Sequence, residues 1–371
     1  MSGKMTDPTT FKLGLFGYLH EGGNCFTTVP ERWPADWASI ERMARMADRG
    51  GLDFLIPIAR WKGVPGAMMQ RLHSFDTLTH AAALGAITEQ IHIISTVHTP
   101  IIHPVVAAKA MTTIDHVTNG RCGLNIVCGW NVDDFEMFGL HPLPHKVRYA
   151  QAQEWYDIWS RLVAGAPEPF DYDGEHFEGL KRLSALPGSV QKPHPLVICA
   201  AASPEGRDFA LRTSDVLFTL IDELDNGSAQ IHQISEKAAE MGRSAPEVFA
   251  VSYVVCRPTR SEAEEFHAYY AEENADQGAL DYYFKGRSGL ASLPSEDQAK
   301  LRLRFAAGNG GYPLVGTPDD IVEQIVAMSE AGFGGASITV LNFEKDLPPI
   351  VNEILPALQK AGIRGNTASA A

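Results

Sequence analysis

Thr96, His98, Asn125 and Cys128 are the residues of this sequence best placed to do chemistry. They fall between Ile91 and Trp130, a stretch that reads as two short apolar strands flanking a helix, with the polar residues toward the C-terminal end of each strand. In parallel α/β proteins that end carries ligands and reacting groups. An apolar strand has no packing reason to take Asn there, because a buried amide without partners costs about 1–3 kcal/mol. Thr96 and Asn125 are neutral hydrogen-bonders, suited to orienting a small polar species without transferring a proton.

A second set of residues could hold an anion. In ICAAASPEGRDFA a strand ends in small residues, Ser203 can cap the next helix, and Pro204 fits its first position, with Glu205 and Gly206 following. Backbone N–H groups and the helix dipole at such a terminus attract phosphate, although an ordinary capped helix explains the same letters. Arg148 and Tyr149 add a charged and a phenolic donor near the start of another helix. His20, in GYLHEGGN, lies just past the first strand; His98 and His103 flank the third βα loop, where His98 is the better functional candidate and His103 is as readily structural. Glu21 and Asp134 are acid or base candidates by type alone.

Several chemistries lack their signatures. There is no GxxxxGK[ST], GNGGYPLVG lacks the strand-turn-helix setting of a dinucleotide fingerprint, and neither GxSxG nor HExxH occurs. The five cysteines form no CxxC pair, against both a disulfide framework and a zinc knuckle.

The elements that would position these residues alternate along the chain. Strands are expected at Phe11–Gly17, Leu52–Ile58, Ile91–Thr96, Arg121–Cys128, Pro195–Ala200, Asp215–Thr219, Val248–Cys256 and Ala336–Leu341. Helical periodicity between them marks Trp37–Arg49, His73–Leu84, a segment from Pro104 to Asn119, Lys146–Val163, Ile231–Met241 and Thr317–Ala331. Unbroken βα alternation favours an α/β fold of the (β/α)8 TIM-barrel type over an open doubly wound sheet. One domain is expected over 11–362, with flexible ends at 1–10 and 363–371 and insertions at 130–145, 166–194 and 274–312 that could cover the C-terminal face. The last is Gly-rich and carries Tyr282, Tyr283 and Phe284, reading equally as a substrate lid or a surface insertion. A net charge of −14, with no basic block, gives no support to nucleic-acid or anionic-membrane binding, and no long apolar run marks a signal peptide or membrane span. A soluble cytoplasmic enzyme is expected.

Taken in order, MTTIDHVTNGRCGLNIVCGW, the pair Arg148-Tyr149, the excursion FDYDGEHFEG…QKPHPLVICAAASPEGRDFA and the late LVGTPDDIVEQI resemble the bacterial luciferase-like flavin monooxygenases, and within them the pyrimidine and dimethylsulfone monooxygenase group. The resemblance runs from Phe11 to Gly362. It implies a barrel binding reduced FMN noncovalently, dioxygen as co-substrate, and a separate NAD(P)H-dependent flavin reductase as partner. By resemblance the flavin contacts fall on Ala59, Arg60, Asn125, Asp134, Arg148, Tyr149 and Ser203. Thr96 and Asn125 match a threonine and an asparagine that flank the flavin edge, and with His98 they form the expected catalytic set. His20, Arg60, His98 and Trp130 are expected around the substrate. Asp134 stands where the pyrimidine enzyme has glutamate and Arg60 where it has lysine. Substrate does not transfer: an N-heterocycle, an organosulfur compound or a small aromatic all fit. A homodimer or homotetramer is expected, with no nucleic-acid, membrane or metal partner. Competing readings are a deazaflavin-dependent dehydrogenase, a non-catalytic flavin-binding protein and, more distantly, a metal-dependent barrel hydrolase.

Overall fold

The computed structural model describes residues 5–129, 131–201, 203–285 and 294–365. Its strands are β1 (Lys12–Phe16), β2 (Phe54–Ile56), β3 (His92–His98), β4 (Cys122–Val127), β5 (Phe170–Tyr172), β6 (Leu180–Leu183), β7 (Leu196–Ala200), β8 (Val216–Thr219), β9 (Glu247–Cys256), β10 (Tyr312–Gly316) and β11 (Gly335–Thr339). Strands β1, β2, β3, β4, β7, β8, β9 and β11 follow one another around a closed parallel sheet, a (β/α)8 TIM barrel; β10 is an added strand beside β9, and β5 with β6 forms a separate ribbon. The barrel matches the expectation from alternation. The added strand β10 was not foreseen.

Packing groups the chain into two compact units. The first comprises residues 1–6, 76–218 and 234–247. Its strand β3 is buried at every position, and β3 pairs in register with β4 from Ile93↔Cys122 to His98↔Val127. β4 pairs in turn with β7 through Asn125↔Ile198, and β7 with β8 through Ile198↔Val216. A strand covered on both faces reads as nearly continuously apolar, as β7 (LVICA) and β8 (VLFT) do, whereas β3 buries His92, Ser95, Thr96 and His98. The helix His145–Ala164 buries Trp155 and Trp159, and the Trp155 indole donates to the Ile102 carbonyl at 2.7 Å. The 166–194 excursion is the β5–β6 ribbon, tied down where Gln191 donates from its backbone and side chain to the buried Asp115 carboxylate at 3.0 and 2.7 Å. The helix expected over His73–Leu84 runs from Thr79 to Ile87. Asp76 causes the later start, its carboxylate accepting from the Leu78 and Thr79 amides at 3.1 and 2.7 Å.

The second unit comprises residues 7–75, 219–233 and 248–371. β1 lies between β2 and β11, with Gly14 opposite Phe54; a Cβ on Gly14 would come within 2.4 Å of the Phe54 ring, so the strands need glycine at this position. Tyr283 and Phe284 are buried, packing with Phe26 and Phe305. Two of the three aromatics read from sequence as lid residues are therefore core, and only Tyr282 is exposed. Ordered packing also passes residue 362: the Phe11 amide donates to the Ile363 carbonyl at 2.7 Å, and Arg364 pairs with Asp53 at 2.5 Å. All five cysteines are buried and free. No described helix is long and apolar enough to cross a membrane.

Candidate active site

In the first unit the parallel register sets Thr96 opposite Asn125, and the Asn125 amide donates to Thr96 Oγ1 at 3.2 Å. Both residues are buried, and Asn125 Oδ1 has no hydrogen-bond partner. A buried amide oxygen without a protein partner at a strand end is a candidate acceptor for a bound ligand or a water. The Thr77 hydroxyl donates to the Thr96 carbonyl and so holds β3 from outside. His98 is two residues beyond Thr96 on the same strand, so strand alternation places both on one face.

Ser203 caps the helix Pro204–Thr213, its hydroxyl accepting from the Gly206 amide at 3.1 Å. A Cβ on Gly206 would lie 2.5 Å from Tyr149 Oη and 3.0 Å from Ser203 Oγ. The phenol and the cap hydroxyl thus pack so closely on the first helical turn that only glycine fits at 206. Burial, the largest cause, pushes the Tyr149 hydroxyl up to about 12, so it stays a proton donor at neutral pH. Arg148, one residue earlier on the helix His145–Ala164, donates to the Gly129 carbonyl, and its Nε is buried without a partner. Two hydroxyls thus meet at a helix N-terminus, and Arg148 precedes Tyr149 on the neighbouring helix; donors of these types suit an anion.

Nearby groups narrow the chemistry. Burial holds the Cys128 thiol well above its ordinary range, with Cys199 adding to the shift, so Cys128 is a poor thiolate nucleophile. Asp134, expected in a loop, lies in the short helix Val132–Met137 and is buried. His103 proves to be the N-cap of the helix Pro104–Val117, Nδ1 accepting from the Val105 amide at 3.3 Å.

The second unit carries the remaining candidates on the loops after β1 and β2. The loops are zipped together: His20 bridges Ser74, the Glu21 amide donates to the His73 carbonyl at 2.9 Å, and Ser74 Oγ donates to the Arg60 carbonyl at 3.1 Å. Ala59 and Arg60 are buried beside this zipper. His20 is fully buried, and neither ring nitrogen has a hydrogen-bond partner. Burial, then the positive charges of Arg71 and Arg60, hold its imidazole well below the ordinary histidine range, so it is neutral at physiological pH. Glu21, a candidate acid or base by type, is engaged by Arg32 and by His73 Nδ1 at 3.2 Å. Trp130 lies outside the described residues.

Thr77 and Arg71 were not read as site residues, and neither sits in a recognisable motif; their positions depend on loops meeting in space. Among the described residues no three His, Cys, Asp or Glu side chains gather as a metal site.

Comparison with known proteins identifies the family. The family model described as luciferase-like monooxygenase matches residues 15–334. The chain is 27% identical to an FMNH(2)-dependent dimethylsulfone monooxygenase of Pseudomonas putida, over 91% of this chain and 93% of that protein. It is 24% identical to pyrimidine monooxygenase RutA of Pseudomonas syringae pv. syringae (strain B728a), over 93% and 96% of the two chains. The crystal structure of DmoA from Hyphomicrobium sulfonivorans has the same fold, with a TM-score of 0.82 at 19% identity, covering 96% of this chain and 90% of that one. With a family match running through both loop clusters and most of the barrel, the chain belongs to the luciferase-like monooxygenases.

Proposed function

We propose that this enzyme is the oxygenating component of a two-component system, taking reduced FMN from a separate NAD(P)H-dependent flavin reductase and using dioxygen to oxygenate a small organic substrate. The reading rests chiefly on the buried, unpartnered Asn125 Oδ1 beside Thr96 Oγ1. An N–H at the edge of a bound flavin ring would satisfy it. The cluster of Ser203, Tyr149 and Gly206 is the second fit, because it gathers two hydroxyls at the N-terminus of a helix, donors a phosphate would use. Relatives with FMNH(2) in their names support the same cofactor.

When bound, reduced FMN supplies two electrons to dioxygen, so that one oxygen atom enters the substrate and the other leaves as water. This chain's residues bind and position. Ser203 and Tyr149 would donate to the phosphate and Arg148 would offset its charge, with Ala59, Arg60 and Asp134 as further flavin contacts. Thr96 and Asn125 would orient the flavin edge and oxygen without moving a proton, and the buried strand ends would exclude water. His98, His20 and Arg60 would face the substrate, an N-heterocycle, organosulfur compound or small aromatic. A cytoplasmic homodimer or homotetramer is the expected assembly.

The test combines the protein, FMN, NAD(P)H and a flavin reductase with a panel of those substrates under labelled dioxygen, read by mass spectrometry. Label in a product supports the reading. Flavin binding with no labelled product from any substrate would favour a storage role, and anaerobic substrate oxidation with a deazaflavin would favour hydride transfer.

A further inference from the structure

The loop that follows β2 turns an apolar face to solvent and is anchored so that the face stays there. Trp61, Met68, Met69, Leu72 and Phe75 are each between 37% and 49% exposed. The two limbs of the loop are paired. Val64 and Gln70 form a β-bridge, the Val64 amide donating to the Gln70 carbonyl at 2.7 Å, and a Cβ on Gly63 would stand 3.1 Å from Leu72 Cα. The tip rests on Asp276, whose buried carboxylate accepts from the Ala67 and Met68 amides at 2.9 and 3.1 Å and from Gln70 Nε2 at 3.1 Å. Between these anchors Met69 and Arg71 sit in the left-handed region, at φ +45° and +63°, a conformation that penalises a non-glycine residue. Gln70 and Arg71 are thereby turned inward and buried, while Met68, Met69 and Leu72 stay outside. Packing within the chain gives no return for large apolar side chains held in water.

Size and charge say what covers them. Side chains of this kind at those exposures present on the order of 400 Å² of largely apolar surface, enough to mark an interaction site. One side of a standard protein interface, about 800 Å² with a little over half of it non-polar, needs about that much. Methionine and aromatic residues are also what interface cores favour, and charge is what they exclude. The chain carries a net charge of −14, with 45 acidic residues, yet residues 61–75 contain no Asp or Glu. Glu21, bonded to this loop through His73, is also engaged by Arg32. Two acidic copies repel wherever carboxylates face one another, so an apolar face free of acid is where they can meet, whereas a basic partner would favour acidic surface. The exposed Val132, Met137 and Leu140 offer no such face, because Asp133 and Glu136 are interleaved with them.

We propose that the loop 61–75 is the core of an isologous interface with a second copy of this chain, with Met69 and Leu72 packing across the two-fold axis. The assignment rests on the homo-oligomeric assembly of the proposed function and names the face that forms it.

The experiment is sedimentation velocity on the full chain over a range of concentrations, for the wild type, Leu72→Glu, Met69→Glu and Leu72→Met. The wild type sediments as a dimer or a multiple of one. Each glutamate, placed twice by the symmetry, weakens that association roughly a hundredfold or more, while Leu72→Met preserves it. Hydrogen exchange of the wild type reads the same face without any substitution: peptides covering 61–75 gain protection as the concentration rises through the association. A monomeric wild type overturns both the expected assembly and this face. An oligomer that keeps its Kd in both glutamate variants, or whose 61–75 peptides gain no protection, overturns the face alone. The labelled-dioxygen assay is read separately, so neither result is confused with failure of the monooxygenase reading.

Discussion

Asn125 donates its amide to Thr96 Oγ1 across adjacent parallel strands at 3.2 Å, while its own amide oxygen is buried without a partner. One side chain therefore fixes a neighbour and presents an unsatisfied acceptor at the same place. Replacing Asn125 with Ala removes both functions. We expect FMN affinity to fall by about tenfold and oxygenation by roughly a hundredfold or more. Thr96→Val, which keeps shape and removes the hydroxyl, should reproduce the loss of turnover with a smaller effect on FMN. Single-turnover assays with photoreduced FMN check both, and wild-type turnover in Asn125→Ala would sink the assignment.

Gly206→Ala sets two effects in opposition. Helix propensity favours Ala over Gly by about 1 kcal/mol. The new methyl would nevertheless sit 2.5 Å from Tyr149 Oη, so the phenol must move. The clash should win: FMN binding weakens by more than tenfold, while Tyr149→Phe, losing one neutral hydrogen bond, weakens it only severalfold. Fluorescence quenching of FMN measures both, and tighter binding by Gly206→Ala would remove the phosphate site from this position.

Arg364 is a stability determinant close to the end of the described chain. It pairs with Asp53 with both side chains only 5% exposed, and also donates to the Phe11 and Gly51 carbonyls at 2.9 Å. Arg364→Ala takes the guanidinium away from a buried carboxylate that also accepts from the Leu13 amide at 2.9 Å, and should cost about 3–5 kcal/mol. Adding Asp53→Leu should recover part of that loss. Urea midpoints of the wild type, single and double variants decide it, and a single variant as stable as the wild type would show that the pair is dispensable.

Buried histidines give stability a defined pH dependence. Burial lowers the pKa of His80 from about 6.5 to about 4 in the folded state. The unfolded chain therefore binds the proton more readily. Stability is complete above about 6.5 and declines as pH falls toward 4, by about 3 kcal/mol from this residue. His20 is shifted in the same direction and adds to the decline. In His80→Gln the fall in unfolding free energy between those pH values should be shallower; an unchanged slope would mean that His80 is not buried neutral.

The barrel was legible because βα alternation survives along the whole chain, and short apolar runs between amphipathic segments have few other ways to bury themselves. Thr96 and Asn125 stood out as candidates for a related reason, as polar residues on apolar strands, and the structure brings their side chains together. Ser203 was recognisable as a cap because capping depends on neighbours within four residues. Local signals failed where the deciding partner was distant. The start of the Thr79–Ile87 helix was misplaced because Asp76 captures its first amides. Tyr283 and Phe284 looked like lid residues until Phe26 and Phe305 were found packed against them.

Periodicity and local composition in the sequence determined the class of fold and singled out the polar strand ends, while the family rested on the resemblance of its motifs. Only the tertiary structure decided that Asn125 Oδ1 lacks a protein partner, that Tyr149 closes over Gly206, and that Tyr283 and Phe284 are core. Each of those depends on burial and on partners far apart in the chain, which periodicity does not encode.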